Sequence, residues 1–144
     1  MKISRRSFLL TTGAAATWSL IPGKVLGANA RVNLAWAGVG RRGNRIITNF
    51  ERAGIANFVA FCDVDPATEH MAEARTRFPK ARVFQDFRVM LDAVADEIDA
   101  VVVLVPDHSH FPVAMAAMAL GKHVYVEKPL ARTCLLYTSP SPRD

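Results

Sequence analysis

Short apolar runs alternate with amphipathic segments from Val32 to Val126. Five runs are typical of β-strands, at residues 32–37, 56–62, 82–84, 100–105 and 123–126. The segments between them carry apolar side chains at helical spacing, and predict helices at residues 44–53, from Asp65 onward, from Asp86 onward and at residues 112–120. This alternation predicts an α/β fold, a doubly wound parallel sheet with right-handed crossovers and helices on both faces.

The helix ends and inner faces can also be predicted. Asp65 followed by Pro66 is typical of an N-cap and a first helical residue, Asp86 is a second N-cap, and Gly121 ends the last helix. The continuous branched run at residues 100–105 predicts a strand buried on both faces. Six helical side chains should face inward: Met71, Ala74, Phe78, Met90, Leu91 and Val94.

The positive charge is concentrated at the start of the chain. The formal net charge of the 144 residues is +5. The first 30 residues contain four basic residues and no acidic one, so the remainder is close to neutral. We therefore expect no nucleic-acid partner. The two cysteines, Cys62 and Cys134, indicate neither a disulfide framework nor a metal site, and we expect no metal.

Residues 1–30 have the pattern of an export signal. A basic start is followed by a short apolar stretch and by the small residues 28–30, Ala-Asn-Ala, at a cleavage position. Arg5 and Arg6, followed by Ser-Phe-Leu, resemble the twin-arginine motif of folded, exported proteins. An ordinary secretory signal or a basic N-terminal helix are the alternatives. We expect export to the bacterial periplasm and no stable membrane anchor after cleavage.

A glycine motif lies between the first strand and the first helix. Gly38, Val39, Gly40, Arg41, Arg42 and Gly43 form a G-x-G-x-x-G sequence in this strand–turn–helix context. Gly38 permits the tight turn, Gly40 lets the backbone approach a pyrophosphate, and Gly43 allows close helix packing. The helix N-terminus adds unpaired N–H groups. The motif predicts dinucleotide binding, and the alternative is a glycine-rich turn without a ligand.

Asp63 follows the second strand, 20 residues after Gly43. A carboxylate at this place accepts hydrogen bonds from the adenosine ribose and repels a 2′-phosphate, which favours NAD over NADP. Arg41 and Arg42 weaken that exclusion, since an arginine nearby could bind the phosphate. A turn residue at the strand end is the alternative interpretation of Asp63.

The loop after the fourth strand reads Val105, Pro106, Asp107, His108, Ser109 and His110. Two histidines suggest a metal, but no third ligand is evident in the nearby sequence. We expect this loop beside the nicotinamide half of the cofactor. We interpret His108 as a residue at the helix entrance and His110 as a contact to cofactor or substrate.

Glu127, Lys128 and Pro129 follow the fifth strand. A lysine at the rim of a cofactor cleft can polarise a hydroxyl or carbonyl group. A surface Glu-Lys pair is the alternative, but the position beside the cleft favours a catalytic role for Lys128.

Together these motifs resemble the glucose–fructose oxidoreductase / inositol dehydrogenase (Gfo/Idh/MocA) family over about residues 32–132, and its exported members most. The resemblance implies a Rossmann-type domain, a cleft lysine at Lys128, and cofactor contacts from Glu127, Pro106 and Asp107. Val105 and Ser109 depart from the commonest exported pattern, which has threonine and tryptophan there. The family resemblance also implies a second α/β domain that carries the substrate contacts and the remaining catalytic residues.

Residues 134–144 have neither helical nor strand pattern and look like a translated sequencing adapter; a natural Pro/Ser tail is the alternative. We expect residues 31–133 to be the dinucleotide-binding domain, truncated and catalytically incomplete alone. The expected function is NAD-dependent hydride transfer on a small sugar or polyol, in a protein that can be a homo-oligomer. The alternatives are an NAD-dependent glycosidase that works by transient oxidation and elimination, and a non-catalytic dinucleotide-binding module.

Overall fold

The computed structural model describes residues 31–133. The export leader expected at residues 1–30 and the tail at residues 134–144 lie outside the described residues. Five strands form one parallel sheet: β1 (Val32–Ala37), β2 (Ala56–Cys62), β3 (Arg82–Phe84), β4 (Ala100–Val103) and β5 (His123–Val126). Four α-helices lie between them: α1 (Arg41–Ala53), α2 (Glu69–Arg77), α3 (Phe87–Val94) and α4 (Asp107–Ala119). A short 3₁₀ turn, Ala95–Glu97, follows α3.

The sheet order is β3-β2-β1-β4-β5, with every neighbouring pair parallel. The chain therefore moves outward from β1 to β3, crosses the sheet, and continues outward from β4 to β5. The direction of winding changes between β1 and β4, and a crevice opens at such a change at the carboxyl ends of the strands. The predicted doubly wound α/β fold is confirmed.

Each face of the sheet carries its own core. Alternate residues of β1 belong to opposite faces: Leu34 and Trp36 pack with the buried residues of α1 and α2, and Ala35 and Ala37 pack with those of α3 and α4. This alternation follows from the two-residue period of a strand. The inward-facing side chains predicted on α2 and α3 are confirmed: five are buried, and Phe78 is partly buried against Phe58.

Three helix starts differ from the prediction. Asp65 does not cap α2: its carboxylate accepts from the N–H of Ala67 in a turn, and Thr68 caps the helix by accepting from Met71. The carboxylate of Asp65 accepts a hydrogen bond within its own loop, so the chain makes one more turn before α2 begins. Helix α1 begins at Arg41, three residues before the predicted start, since Gly40 directly precedes its first turn.

The largest difference concerns α4. Pro112 was expected near the start of this helix, and instead lies inside it, five residues after Asp107. Pro106 precedes the first residue, with its ring already at φ −58°, and Asp107 places a carboxylate in the first turn. Strand β4 ends at Val103 rather than residue 105, because its neighbour β1 ends at Ala37 and offers no further ladder. No helix within residues 31–133 is long and apolar enough to cross a membrane.

Candidate functional site

An open cleft of about 900 Å³ lies at the carboxyl edge of the sheet. Its walls come from the segments that follow the first four strands, and the lining includes Gly38, Gly40, Asp63, Pro106 and His108. The change of winding between β1 and β4 separates these segments and so creates the cleft.

The glycine turn has the close packing that its sequence predicts. Gly38 has φ +93°, and a Cβ there would lie 2.4 Å from the carbonyl oxygen of Leu104. A Cβ on Gly43 would lie 2.1 Å from the carbonyl oxygen of Gly38. Both positions therefore exclude any side chain, because the atoms in the way belong to the backbone. The turn is held at the sheet by the Gly38 N–H, which donates to the carbonyl of Cys62 at 2.8 Å.

Gly40 is different, and it provides the test of whether a dinucleotide fits. A Cβ on Gly40 would meet no atom of the protein within 4 Å. The residue lines the cleft and directly precedes α1, whose first-turn N–H groups lack helical partners. The space over Gly40 is therefore open for an anionic ligand at a helix N-terminus. A pyrophosphate fits this position, with α1 holding it and Gly40 allowing close approach.

Asp63 lines the cleft at the end of β2 and also organises the turn. One carboxylate oxygen accepts from the N–H of Val39 at 2.8 Å, and the other accepts from the N–H of Asp65 at 3.1 Å. A carboxylate has about four acceptor sites, so lone pairs are left for ribose hydroxyls. Val39 itself is fully buried, and its contact to this site is through its backbone.

Arg42 joins the glycine turn to the loop after β5. Its guanidinium donates to the carboxylate of Glu127 at 3.0 and 3.3 Å. This hydrogen bond lowers the pKa of Glu127 below its ordinary value, and the positive charge of the guanidinium adds to the effect. Arg41 and Arg42 both line the cleft. The sequence predicted both residues of the ion pair as cofactor contacts, but it gave no indication that they contact each other.

His108 lies at the entrance of α4, as predicted, whereas His110 is not at the cleft surface, where a contact to cofactor or substrate was expected. His108 lines the cleft, in the first turn of α4. His110 is buried, with 1% of its surface exposed, and its two ring nitrogens lie 2.6 Å and 2.8 Å from the carbonyl oxygens of Pro129 and Val105. Because both ring nitrogens already face backbone carbonyls, His110 lies behind the wall of the cleft and not on it.

Asp107 and Lys128 are exposed and are not part of the cleft lining that residues 31–133 form. Lys128 follows Glu127, whose N–H donates to the carbonyl of Val103 at 3.0 Å, so β4 holds the start of this loop. The described residues contain no group of three His, Cys, Asp or Glu side chains arranged to hold a metal ion.

Sequence reasoning missed one wall of the cleft. Val64, Gln85, Phe87 and Arg88 line it, and the last three follow β3. Their position after a strand end could have indicated them, because every such segment in a parallel sheet reaches this edge.

Cys62 also lines the cleft and belongs to the core, as predicted; burial, with the nearby Asp63 and Asp86 charges, raises the pKa of its thiol to about 11. Its thiol is therefore neutral at physiological pH.

Fold and site together define an NAD-binding Rossmann domain. Residues 32–135 match the model of an oxidoreductase family described as having an NAD-binding Rossmann fold. The chain therefore belongs to the Gfo/Idh/MocA oxidoreductase family, as its motifs suggested.

Three similar proteins illustrate the range of this family. A glycosyl hydrolase family 109 protein of Shewanella amazonensis is 36% identical over 78% of this chain and 26% of its own length. An alpha-N-acetylgalactosaminidase of Shewanella oneidensis is 30% identical over 91% of this chain and 34% of its own. The crystal structure of scyllo-inositol dehydrogenase from Lactobacillus casei with NAD(H) and scyllo-inositol has 29% identity and a TM-score of 0.66, over 74% of this chain and 30% of that one. The chain thus spans about a third or less of the proteins it matches.

Proposed function

We propose that this NAD-binding domain serves an oxidoreductase that transfers a hydride between a sugar or polyol and NAD. The open space over Gly40, at the N-terminus of α1 and beside Asp63, supports the proposal most directly. The similarity to a dehydrogenase crystallised with NAD(H) and scyllo-inositol supports the polyol substrate.

In this proposal each part of NAD is bound by residues that follow a different strand of the sheet. The α1 N-terminus and Gly40 bind the diphosphate, and Asp63 binds the adenosine ribose. Pro106 and His108, which line the cleft after β4, contact the nicotinamide half. Glu127 accepts from a ribose hydroxyl once Arg42 turns toward the diphosphate.

Lys128 is the acid–base group of the proposal. A bound nicotinamide supplies the hydride acceptor for the carbon that carries the substrate hydroxyl. Lys128 Nζ, as the free amine, would accept the hydroxyl proton, and as the ammonium would return it in the reverse direction. The position of Lys128, directly after β5 and one residue from the Arg42–Glu127 pair, supports this role.

A glycosidase is the second candidate, because two of the relatives have glycosidase names and one of them is 36% identical. In such an enzyme the same hydride transfer would be transient, and NAD would be regenerated within each turnover. Lys128 would again exchange the hydroxyl proton.

The test begins with calorimetric titration of NAD into the 144-residue chain, where the absence of binding would contradict the proposal at its base. The protein encoded by the full reading frame is then supplied with polyols and with a chromogenic glycoside. Accumulation of NADH with a polyol supports the dehydrogenase. Glycoside cleavage without net NADH formation supports the glycosidase.

We also propose export by the twin-arginine route, which the Arg5–Arg6 pair and the Ala-Asn-Ala cleavage pattern support. Replacement of both arginines by lysine keeps the charge and removes the recognised groups. The full-length precursor should then remain inside the cell. Normal export of the double-lysine form would indicate the general secretory route.

A further inference from the structure

His110 is a buried polar side chain that joins the loop after β4 to the loop after β5. It lies in the first turns of α4, and it is 1% exposed, while its neighbours Val113 and Ala114 are buried apolar residues. One ring nitrogen faces the carbonyl oxygen of Val105, which follows β4, and the other faces that of Pro129, which follows β5. The two carbonyls are 24 residues apart in the sequence.

The chemistry of these contacts favours a specific attachment over simple packing. A carbonyl oxygen only accepts, so the ring nitrogen that carries a proton donates to the carbonyl it faces, and an imidazolium donates to both. An apolar residue of similar volume would remove the donor from a carbonyl oxygen in a partly buried contact, which is unfavourable. The contact lengths of 2.6 and 2.8 Å are at the short end for nitrogen donors.

The segments attached in this way are those that carry candidate chemistry. Val105 lines the cleft, and Pro129 directly follows Lys128. The hydrogen bonds between β4 and β5 extend to Glu127, whose N–H donates to the carbonyl of Val103. The next residue, Lys128, is exposed, and the half-buried Pro129 then contacts the buried His110. Lys128 is therefore held between two fixed points.

The sheet order decides which part of a dinucleotide would be affected. Asp63 lies on the β2 side of β1, whereas Val105 and Pro129 lie beyond β4 and β5 on the other side. With the adenosine on the β2 side and the diphosphate over Gly40, the nicotinamide riboside reaches the segments held by His110.

We propose that His110 is a positioning residue. It fixes the loop of Val105 and the loop of Lys128 relative to each other, where they would contact the nicotinamide half of NAD. This inference rests on the proposed NAD site. It predicts that loss of the imidazole impairs binding of the nicotinamide riboside and leaves binding of the adenosine diphosphate half intact.

The experiment compares NAD with ADP, which carries the adenosine and the diphosphate and lacks the nicotinamide riboside. Calorimetry gives the Kd of each ligand for the wild-type chain, for His110→Leu and for the control His123→Leu, which changes an exposed histidine on β5. We expect His110→Leu to weaken NAD binding about tenfold, the effect of one lost hydrogen bond, and to change ADP binding less than twofold. His123→Leu should change neither.

A second measurement reports the loop itself. Acetylation of Lys128 by a limiting reagent is compared by mass spectrometry with that of Lys80, an exposed lysine after α2. NAD should protect Lys128 relative to Lys80 in the wild type, and this protection should fall in His110→Leu.

The outcomes separate the two proposals. A wild-type chain that binds neither ligand contradicts the NAD site itself. Normal NAD binding with unchanged Lys128 protection in His110→Leu, or an equal loss for both ligands, would overturn the positioning role and leave the NAD site standing. If circular dichroism shows that the leucine variant is unfolded, His110→Gln replaces it. Its amide can donate to one carbonyl, so an intermediate loss confined to NAD supports the inference, and an equal loss for NAD and ADP overturns it.

Discussion

The two sides of the cleft are built in different ways. The glycine side consists of residues 38–43 and Asp63, and it is organised by contacts between backbone groups and one carboxylate, which join the turn to Cys62 and Asp63 at the end of β2. The lysine side consists of residues 105–110 at the cleft and of residues 127–129, which follow β5 outside the cleft lining that residues 31–133 form, and it depends on two side-chain contacts between separate segments, His110 to Pro129 and Glu127 to Arg42. The glycine side is thus held mainly by backbone groups, whereas the lysine side is held by side chains.

This difference has a functional consequence. A diphosphate is the same in every dinucleotide reaction, so a fixed backbone cradle can hold it for any enzyme of the fold. The reacting end must match one substrate, and positions there depend on side chains that can change singly. Substitutions on the glycine side should therefore affect stability or binding as a whole, and those on the lysine side should affect particular steps.

The largest effect is expected on the lysine side, at Lys128. In the protein encoded by the full reading frame, Lys128→Ala should lower kcat by about 10² to 10⁴, the usual contribution of a positioned acid–base group, with little change in NAD affinity. Lys128→Arg should not restore activity, because a guanidinium stays charged at any working pH. Steady-state kinetics and NAD titration measure the two quantities.

Lys122→Ala is the matched control, since it removes a lysine beside the opposite end of β5. It should leave kcat unchanged. Near-silent Lys128 variants would make Lys128 a surface residue, and weaker NAD binding with normal kcat would assign it to cofactor positioning.

The next effect separates two glycines on the glycine side. Gly43→Ala should lower the free energy of unfolding by about 3 kcal/mol, the upper part of the range for overpacking, because its Cβ would lie 2.1 Å from a backbone oxygen. Gly40→Ala should change it by less than about 1 kcal/mol, since a Cβ there meets no protein atom. NAD binding to Gly40→Ala should nevertheless be strongly impaired. Denaturant unfolding and calorimetry make the comparison, and a stable Gly40→Ala that binds NAD normally would place the diphosphate elsewhere.

A smaller effect is expected at Asp63. Asp63→Ala should weaken NAD binding by about tenfold, because it removes the ribose acceptor and the acceptor for the Val39 N–H. It should also narrow the preference for NAD over NADP. Asp63→Asn keeps an oxygen for Val39 and removes the charge, so it should narrow that preference with a smaller loss of NAD affinity. Wild-type binding of NADP as tight as that of NAD would show that Arg41 or Arg42 overrides the carboxylate.

The smallest effect concerns the ion pair between the two sides. The folded-state pKa of Glu127 is lowered from its ordinary 4.5, so the pair adds stability above about pH 4.5 and loses it as pH falls through the lower folded-state value. The Tm difference between wild type and Arg42→Ala should therefore be largest near neutral pH and shrink in acid. It should be small throughout, because the Arg42 side chain is 60% exposed.

Arg41→Ala is the control for this measurement, since Arg41 makes none of the ion pairs found within residues 31–133. Its Tm difference from wild type should not vary with pH over the same range. A pH-independent difference for Arg42→Ala would show that the pair does not form in solution.

The sequence by itself determined the strands, the order of the elements and the glycine turn. Four of the five predicted strands have the observed bounds. A buried strand is one continuous apolar run whose side chains alternate between the two faces of the sheet, so its limits can be seen in the sequence. Gly43 could be interpreted because the oxygen that excludes its Cβ belongs to Gly38 in the same turn, and Gly38 because the tight turn requires its positive φ.

Only the tertiary structure decided the helix starts and the lysine side. Thr68 caps α2 in place of Asp65 because the two side chains compete for nearby backbone N–H groups. Helix α4 begins at Asp107, so that Pro112 lies inside it, because β4 ends where its neighbour β1 ends. The burial of His110 away from the cleft surface has the same origin. Which histidine reaches the cleft depends on which one meets the carbonyls of Val105 and Pro129, and Pro129 comes beside α4 only when β5 pairs with β4.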